Sequence, residues 1–242
     1  MSRAPRVAVV VFPGTWSERD FAAVAADLGW EMRMVWHAER ELGQADAVVL
    51  PGGFAHGDHL RTGAIARFSP VMAAVEAFAA AGGPLLGSCN GFQVLCEAGL
   101  LPGALLRNDH LEFRCDWQSL RVEATPGAWL SALRPGEVIR LPISHGEGRY
   151  YASAEVLEEM ERSGRVVLRY ADASGALTEA ANPNGSLHSI AGIVNQRGNV
   201  LGLMPHPERA ADPEVGGTDG LTIFRSLANW LVAQPAVAER RL

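Results

Sequence analysis

The chain lacks the features that mark a membrane-spanning, disulfide-built or nucleic-acid-binding protein. Its 242 residues include only three cysteines, Cys89, Cys96 and Cys115. Their irregular spacing gives no disulfide framework and suits a reduced, cytoplasmic protein. No run of about 18 apolar residues occurs, which argues against a transmembrane helix, and no membrane partner is expected. Met1 to Arg6 passes straight into a strand-like run, without the apolar h-region and cleavage site of a signal peptide. A basic excess is missing too: 21 Lys and Arg stand against 27 Asp and Glu, a net charge of −6. Nucleic acid is therefore not the expected partner, since phosphate binding needs a basic surface. Repeats, low-complexity tracts and linkers are absent, and no G-x-x-x-x-G-K-[ST] loop is present to cradle ATP phosphates. The composition that remains, 48% hydrophobic and 20% charged, is that of a globular domain. It is read as one domain over 1–242, with 235–242 as a frayed tail.

What is present first is alternation. Arg6–Phe12 (RVAVVVF), Glu31–Trp36, Asp46–Leu50 and Pro84–Gly87 are strand-like runs, the first closed by Pro13-Gly14 and the third by Pro51-Gly52-Gly53. Helical spacing fills the gaps over Ser17–Leu28, Pro70–Ala81 and Asn90–Ala98. This pattern predicts a mostly parallel sheet with helices on both faces, which binds ligands at the carboxyl ends of its strands. Gly14, Gly53 and Cys89 all fall at such ends. The second half differs. Ser119–Glu123, Val138–Pro142, Val166–Tyr170, Ser189–Asn195 and Asn199–Met204 are short β-branched runs between turn signals such as Asn184-Gly185. They predict antiparallel strands that extend the sheet or form a side layer, before a closing helix from about Gly220 to Ala233.

The most informative stretch is Gly87-Ser88-Cys89-Asn90-Gly91-Phe92-Gln93, where an apolar strand turns directly into a helix. That is the layout of a nucleophile elbow with Cys in place of Ser: the side chain stands clear of the backbone, small neighbours admit a substrate, and the helix start favours a nucleophilic sulfur. Taken alone, Cys89 fits a buried structural cysteine as well. A base is needed, and Met204-Pro205-His206-Pro207-Glu208 offers one. In an extended segment Glu208 projects to the same side as His206 and can orient its imidazole. A solvated, proline-flanked turn fits the same residues. His145, in Ser144-His145-Gly146-Glu147-Gly148, is the rival histidine, and its glycine-rich surroundings suit a backbone that lines a ligand pocket. His56, Asp58 and His59 crowd three possible metal ligands into one loop, but no fourth ligand lies at a recognisable spacing, and no metal is assigned.

The two elements together resemble the class I (triad-type) glutamine amidotransferases, which carry G-x-C-x-G-x-Q at an elbow and a later H-x-E. Further runs narrow the likeness: Val9 to Thr15, Leu50 to Phe54, Leu60 to Ala66, Pro142 to Gly148, Ala181 to Ser186 and Gly198 to Arg209. They are similar to the amidotransferases that serve as glutaminase subunits of a purine-biosynthetic synthetase. The resemblance implies a three-layer α/β/α fold, flavodoxin-like, with an antiparallel extension of the sheet. It also implies hydrolysis of L-glutamine by Cys89, His206 and Glu208. The oxyanion would be held by the amide of Asn90 and by the Gly52-Gly53 turn, and the substrate by Gln93 and the loop His145, Gly146, Glu147 and Gly148.

Ammonia released into water at neutral pH becomes ammonium and loses its nucleophilicity, so such a glutaminase needs a sealed path to its partner. The resemblance implies a larger synthetase subunit, which uses ATP and Mg to aminate formylglycinamide ribonucleotide, and a small bridging subunit. This chain itself needs no cofactor. Two departures from the family pattern stand out. Trp16-Ser17 replaces Asn-Cys, and His56 and His59 replace aromatic residues. Both lie far from the triad in sequence and are expected to affect loop and subunit contacts rather than chemistry. The alternatives are a DJ-1-like cysteine hydrolase, which lacks the late H-x-E pair, and an inactive structural subunit.

Overall fold

The computed structural model describes residues 3–233; the tail read at 235–242 lies outside them. The apolar runs of the first half form β1 (Arg6–Val11), β2 (Glu31–Trp36), β3 (Ala47–Leu50) and β4 (Leu85–Ser88). Helix α1 (Glu18–Asp27) connects β1 to β2, α2 (Val71–Ala80) connects β3 to β4, and α3 (Asn90–Glu97) follows β4 after the single residue Cys89. The second half supplies β5 (Ala104–Leu106), β6 (Arg114–Val122), β7 (Val138–His145), β8 (Arg149–Tyr151), α4 (Ala154–Arg162), β9 (Val166–Ala171), β10 (Ile190–Val194), β11 (Val200–Leu203) and α5 (Leu221–Ala233).

Nine strands make one sheet in the order β2-β1-β3-β4-β11-β10-β9-β6-β7, and β5 with β8 makes a separate ribbon. Strands β2, β1, β3, β4 and β11 are parallel, and β10, β9, β6 and β7 continue the sheet antiparallel. The late strand β11 is thus not antiparallel as its short run suggests. It lies parallel beside β4 with Leu203 opposite Ser88. Nor does the sequence pattern disclose α4, whose residues are mostly charged apart from buried Leu157 and Met160. Its first turn is capped by Ser153 Oγ, which accepts from the Val156 amide at 3.4 Å. Strand β6 starts at Arg114 rather than Ser119, because its first residues are exposed and carry no apolar alternation to read.

Alternate residues of the central strands enter opposite cores, as the two-residue period of a strand demands. Ala8, Val10, Val48, Leu50 and Leu85 face the layer of α2, α3 and α4, where they meet Val75, Phe92, Leu95 and Met160. Val7, Val9, Ala47, Val49 and Leu86 face α1, α5 and the segment 128–133, where they meet Phe21, Trp129, Phe224 and Leu227. Both faces are therefore covered, which accounts for the near-continuous apolar runs of β1, β3 and β4.

The turn from β4 into α3 brings the helix onto β3 so tightly that a Cβ at Gly91 would overlap the Leu50 carbonyl. Only glycine permits this approach. Gly91→Ala is expected to displace the start of α3, lower stability by at least about 1–3 kcal/mol as overpacking does, and reduce the reactivity of Cys89. Urea unfolding and alkylation of Cys89 measure the two effects, and wild-type values for both would contradict the close packing.

Candidate active site

Cys89 occupies the single residue between β4 and α3 with φ 50° and ψ −106°. A non-glycine residue adopts that conformation only at a cost of about 1–3 kcal/mol, and such strain collects at functional turns. The backbone is held there by the Cys89 amide, which donates to the Leu203 carbonyl on β11 at 2.8 Å. The sulfur is nearly buried and lies 3.6 Å from the Ser144 carbonyl oxygen.

His206 comes from the other side of the same junction, three residues beyond β11. Its amide donates to the Pro142 carbonyl at 2.8 Å, and its Nδ1 donates to Glu208 Oε1 at 2.6 Å. Neither side chain has any solvent exposure. Glu208 does not reach the imidazole along an extended segment. Pro207–Arg209 form a turn of 3-10 helix, and this turn carries the carboxylate back to Nδ1. Ser88, a residue the sequence reading passed over, completes the arrangement. Its hydroxyl lies 3.2 and 3.1 Å from the two carboxylate oxygens of Glu208 and 3.4 Å from His206 Nδ1. The serine is fully buried and closes an otherwise apolar strand, and nothing in the local sequence marks it for this role.

Burial disfavours the imidazolium of His206, but the Glu208 carboxylate and Cys89 outweigh it and push its pKa up to about 10. The ring is therefore cationic at neutral pH. Its Nε2 is buried without a closed hydrogen bond, although Cys89 is near enough to favour the charged ring. Unliganded catalytic sites commonly hold such contacts slightly open.

The expected oxyanion donors divide. Gly52 is not available, because its amide donates to Ser17 Oγ at 2.9 Å. Gly53 forms a bridge with Thr15 in which the bonds run from the Trp16 amide to Gly52 and from the Phe54 amide to Gly14. That pattern leaves the Gly53 N–H unused. The Asn90 N–H, at the first position of α3, likewise has no partner among the described residues. Of the expected donors, Gly53 and Asn90 therefore keep N–H groups without a partner among the described residues.

The expected substrate-binding residues are brought to the same mouth, but their side chains are already engaged. His145 is buried, with Nε2 accepting from Asn184 Nδ2 at 3.5 Å and Nδ1 facing Asn108 Oδ1 at 3.2 Å. Burial, and then the charge of His206, lower its pKa to about 3, so it stays neutral. Both ring nitrogens are thus turned to amide partners rather than left open. His145 fixes the loop, since Asn108 also accepts from the Gly148 amide at 3.0 Å and Asn184 donates to the Gly148 carbonyl at 2.9 Å. Gln93 Nε2 donates to the Glu147 carbonyl at 2.6 Å, and Asn90 Nδ2 donates to Gln93 Oε1 at 2.8 Å. Gly146 lies beside Phe113 at the rim and accepts from the Asn108 amide. Asn108 and Asn184 were not anticipated; nothing in their local sequence separates them from ordinary turn asparagines.

The two departures from the family pattern also sit closer to the chemistry than expected. Trp16 packs on the ring of His206, centroids 5.4 Å apart, and Ser17 holds Gly52. In the other loop, His56 packs against Phe12 and His37, whereas Asp58 accepts from Asn90 Nδ2 at 3.3 Å. Burial, then Glu147, raises the Asp58 carboxyl to about 6. Among the described residues, no three His, Cys, Asp or Glu side chains converge as metal ligands would.

Residues 4–231 match the CobB/CobQ-like glutamine amidotransferase domain. The chain is 57% identical to the phosphoribosylformylglycinamidine synthase subunit PurQ of Thermomicrobium roseum, a match covering 92% of this chain and 94% of that relative. With the PurQ subunit of Salinibacter ruber it shares 55% identity, over 93% and 96% of the two chains. Among solved structures it superposes on a chain of PurLQS from Thermotoga maritima with a TM-score of 0.84 and 41% identity, over 95% of this chain and all of that one. A glutamine amidotransferase of the same organism, 17% identical with a TM-score of 0.61, shares the fold over 96% of this chain and all of its own.

Two results are expected from this geometry. Ser88→Ala strips a donor from the buried carboxylate and should destabilise the fold by about 1–3 kcal/mol, which chemical denaturation measures. Because the folded pKa of His206 is raised above its unfolded value near 6.5, the stability it contributes is complete below that value and fades as pH rises through about 10. The stability gap between wild type and Glu208→Gln should therefore narrow steadily over that window. A gap independent of pH would contradict the charged imidazole.

Proposed function

The chain belongs to the CobB/CobQ-like glutamine amidotransferase family, in the branch of phosphoribosylformylglycinamidine synthase PurQ subunits, and we propose on that footing that Cys89, His206 and Glu208 hydrolyse glutamine in it. The observation that carries the assignment is the fully buried His206–Glu208 pair set behind a cysteine at a strained strand-to-helix turn. A DJ-1-like hydrolase offers no counterpart to that pair.

The geometry supports a definite sequence of steps. With the proton of the Cys89–His206 pair already resting on His206 Nε2, Cys89 Sγ attacks the side-chain amide carbon of glutamine, and the carbonyl oxygen becomes an oxyanion facing the Gly53 and Asn90 N–H groups. Collapse of this intermediate breaks the C–N bond while the imidazolium gives its proton to the leaving nitrogen, releasing ammonia and leaving a γ-glutamyl thioester. The now neutral His206 takes a proton from water, the resulting hydroxide attacks the thioester, and glutamate departs. Glu208 keeps Nδ1 protonated throughout, so Nε2 alone exchanges the catalytic proton. Gln93, His145 and their asparagine partners act by holding the loop 145–148 rigid, so the substrate is met by main-chain groups of that loop.

As a glutaminase subunit in purine biosynthesis, the chain supplies ammonia to an ATP-dependent synthetase that converts formylglycinamide ribonucleotide into the amidine. By its likeness to a chain of PurLQS, we assign it a larger PurL-type partner and a small PurS-type partner. ATP and magnesium serve the synthetase, and glutamine hydrolysis uses this chain's own side chains and main-chain amides. We read the protein as one amidotransferase domain. Its three cysteines are free, in keeping with a reducing compartment such as the cytoplasm; among the described residues no helix is long and apolar enough to cross a membrane.

The test is glutamate release by wild type and Cys89→Ala, each alone and with the synthetase partners, alongside labelling by a glutamine-analogue electrophile. Wild type should label at Cys89 and turn over in the complex, whereas Cys89→Ala should do neither. Turnover by Cys89→Ala, or an unlabelled wild type, would overturn the assignment.

A further inference from the structure

The catalytic pair leaves one mechanical question open. His206 is tethered only through Nδ1, to Glu208 Oε1 and, more weakly, Ser88 Oγ, and a ring held at one atom can rock about it, carrying Nε2 away from the sulfur. Two surfaces oppose this. On one, Gly52 lies so near that a Cβ there would be 2.5 Å from Cε1. On the other, the Trp16 indole packs on the imidazole at 5.4 Å with the planes 34° apart.

Both surfaces belong to one unit. The amides of Trp16 and Ser17 donate to the Gly52 carbonyl at 3.1 and 3.3 Å, and Ser17 Oγ accepts from the Gly52 amide at 2.9 Å. The indole is steadied in turn. The Arg209 guanidinium lies 5.0 Å from its ring centre, within the range of a cation–π contact, and Arg209 Nε is 3.9 Å from Asp20 Oδ2 on α1. Arg209 directly follows Glu208, so the turn that delivers the carboxylate also delivers the group that holds the indole.

We propose that Trp16 is a positioning residue: its indole fixes the plane of the His206 imidazole against Gly52, keeps Nε2 in line with Cys89, and closes the Nδ1–Glu208 bond to water. Trp16 touches no reacting atom and acts only through His206. The inference rests on the glutaminase reading given above and deepens it. Small errors of placement are costly in such sites, where a shift of 1 Å lowers rates by up to about 10²-fold.

The experiment compares Trp16→Phe and Trp16→Leu with wild type in the assembled complex with the synthetase partners. Trp16→Leu, which stays apolar but loses the flat aromatic face, should lower kcat roughly tenfold, within the reach of a sub-ångström misplacement, and leave KM nearly unchanged. Trp16→Phe should restore most of kcat. The carbon-bound proton signals of His206, followed by NMR, should shift in Trp16→Leu as the ring current of the indole is removed. Wild-type kcat in Trp16→Leu would overturn the proposal, as would a rise in KM at constant kcat, which would make Trp16 a substrate contact. If Trp16→Leu does not fold, Arg209→Met tests the same stack from its outer end and should lower kcat without raising KM; unchanged kcat there would equally overturn it. A wild-type complex that neither releases glutamate nor labels at Cys89 would instead refute the glutaminase reading, so the two failures are distinct.

Discussion

The structure depends on one buried contact, His206 Nδ1 to Glu208 Oε1 at 2.6 Å. Each partner, taken alone, would cost several kcal/mol to bury as an ion. Together they are tolerable only if the remaining polar atoms find partners. Ser88 answers for the carboxylate, reaching both of its oxygens. Nothing answers fully for Nε2, which leaves that atom as the one reactive position of the pair. The demands then spread outward. Position 88 must carry a hydroxyl in a strand that is otherwise apolar, position 52 must carry no side chain, and an aromatic ring covers the imidazole.

A second polar cluster, spent entirely on structure, forms the opposite wall. Asn108 serves several main-chain atoms of the loop at 145–148 and Asn184 serves the Gly148 carbonyl, and both are wholly buried. A buried amide that satisfies all its partners fixes a loop more narrowly than apolar packing does, because any shift leaves a polar atom unpaired. His145 belongs to this cluster rather than to the catalytic one, and the two histidines differ for that reason. One is pushed toward the cation by a carboxylate; the other, given only amides, is held neutral by burial.

How far the sequence discloses these features follows from the range of each interaction. The elbow was legible because a strand, a nucleophile and a helix start are contiguous, and the glycines that admit the close approach lie within two residues of the cysteine. The His-Glu pair was legible because its members are two residues apart, although the turn that joins them was taken for an extended segment. The parallel half of the sheet showed itself as apolar runs buried on both faces. By contrast, Ser88, Ser17, Asn108 and Asn184 act across 35 or more residues of chain, and no local pattern marks a serine or asparagine for such service. Trp16 was misplaced for the same reason: far from His206 in sequence, it is brought against it by the pairing of the Gly14–Trp16 turn with Gly52–Phe54. The Gly52 amide, read from sequence as an oxyanion donor, is engaged by distant Ser17 too.

The pairing of β4 with β11 ties the chemistry to the core. Ser88 lies opposite Leu203, so the nucleophile comes one residue past the last pair and the base three residues past it. The register is set by Val200 packing into one core and Leu201 and Leu203 into the other. A slip of one residue would turn each of these to the wrong face, and would also move His206 along the strand relative to Cys89. The same apolar alternation that stabilises the sheet therefore sets the distance between base and nucleophile. Catalytic geometry here is a consequence of strand register, and the strained turn at Cys89 and the aromatic cover on His206 refine a placement that the core has already made.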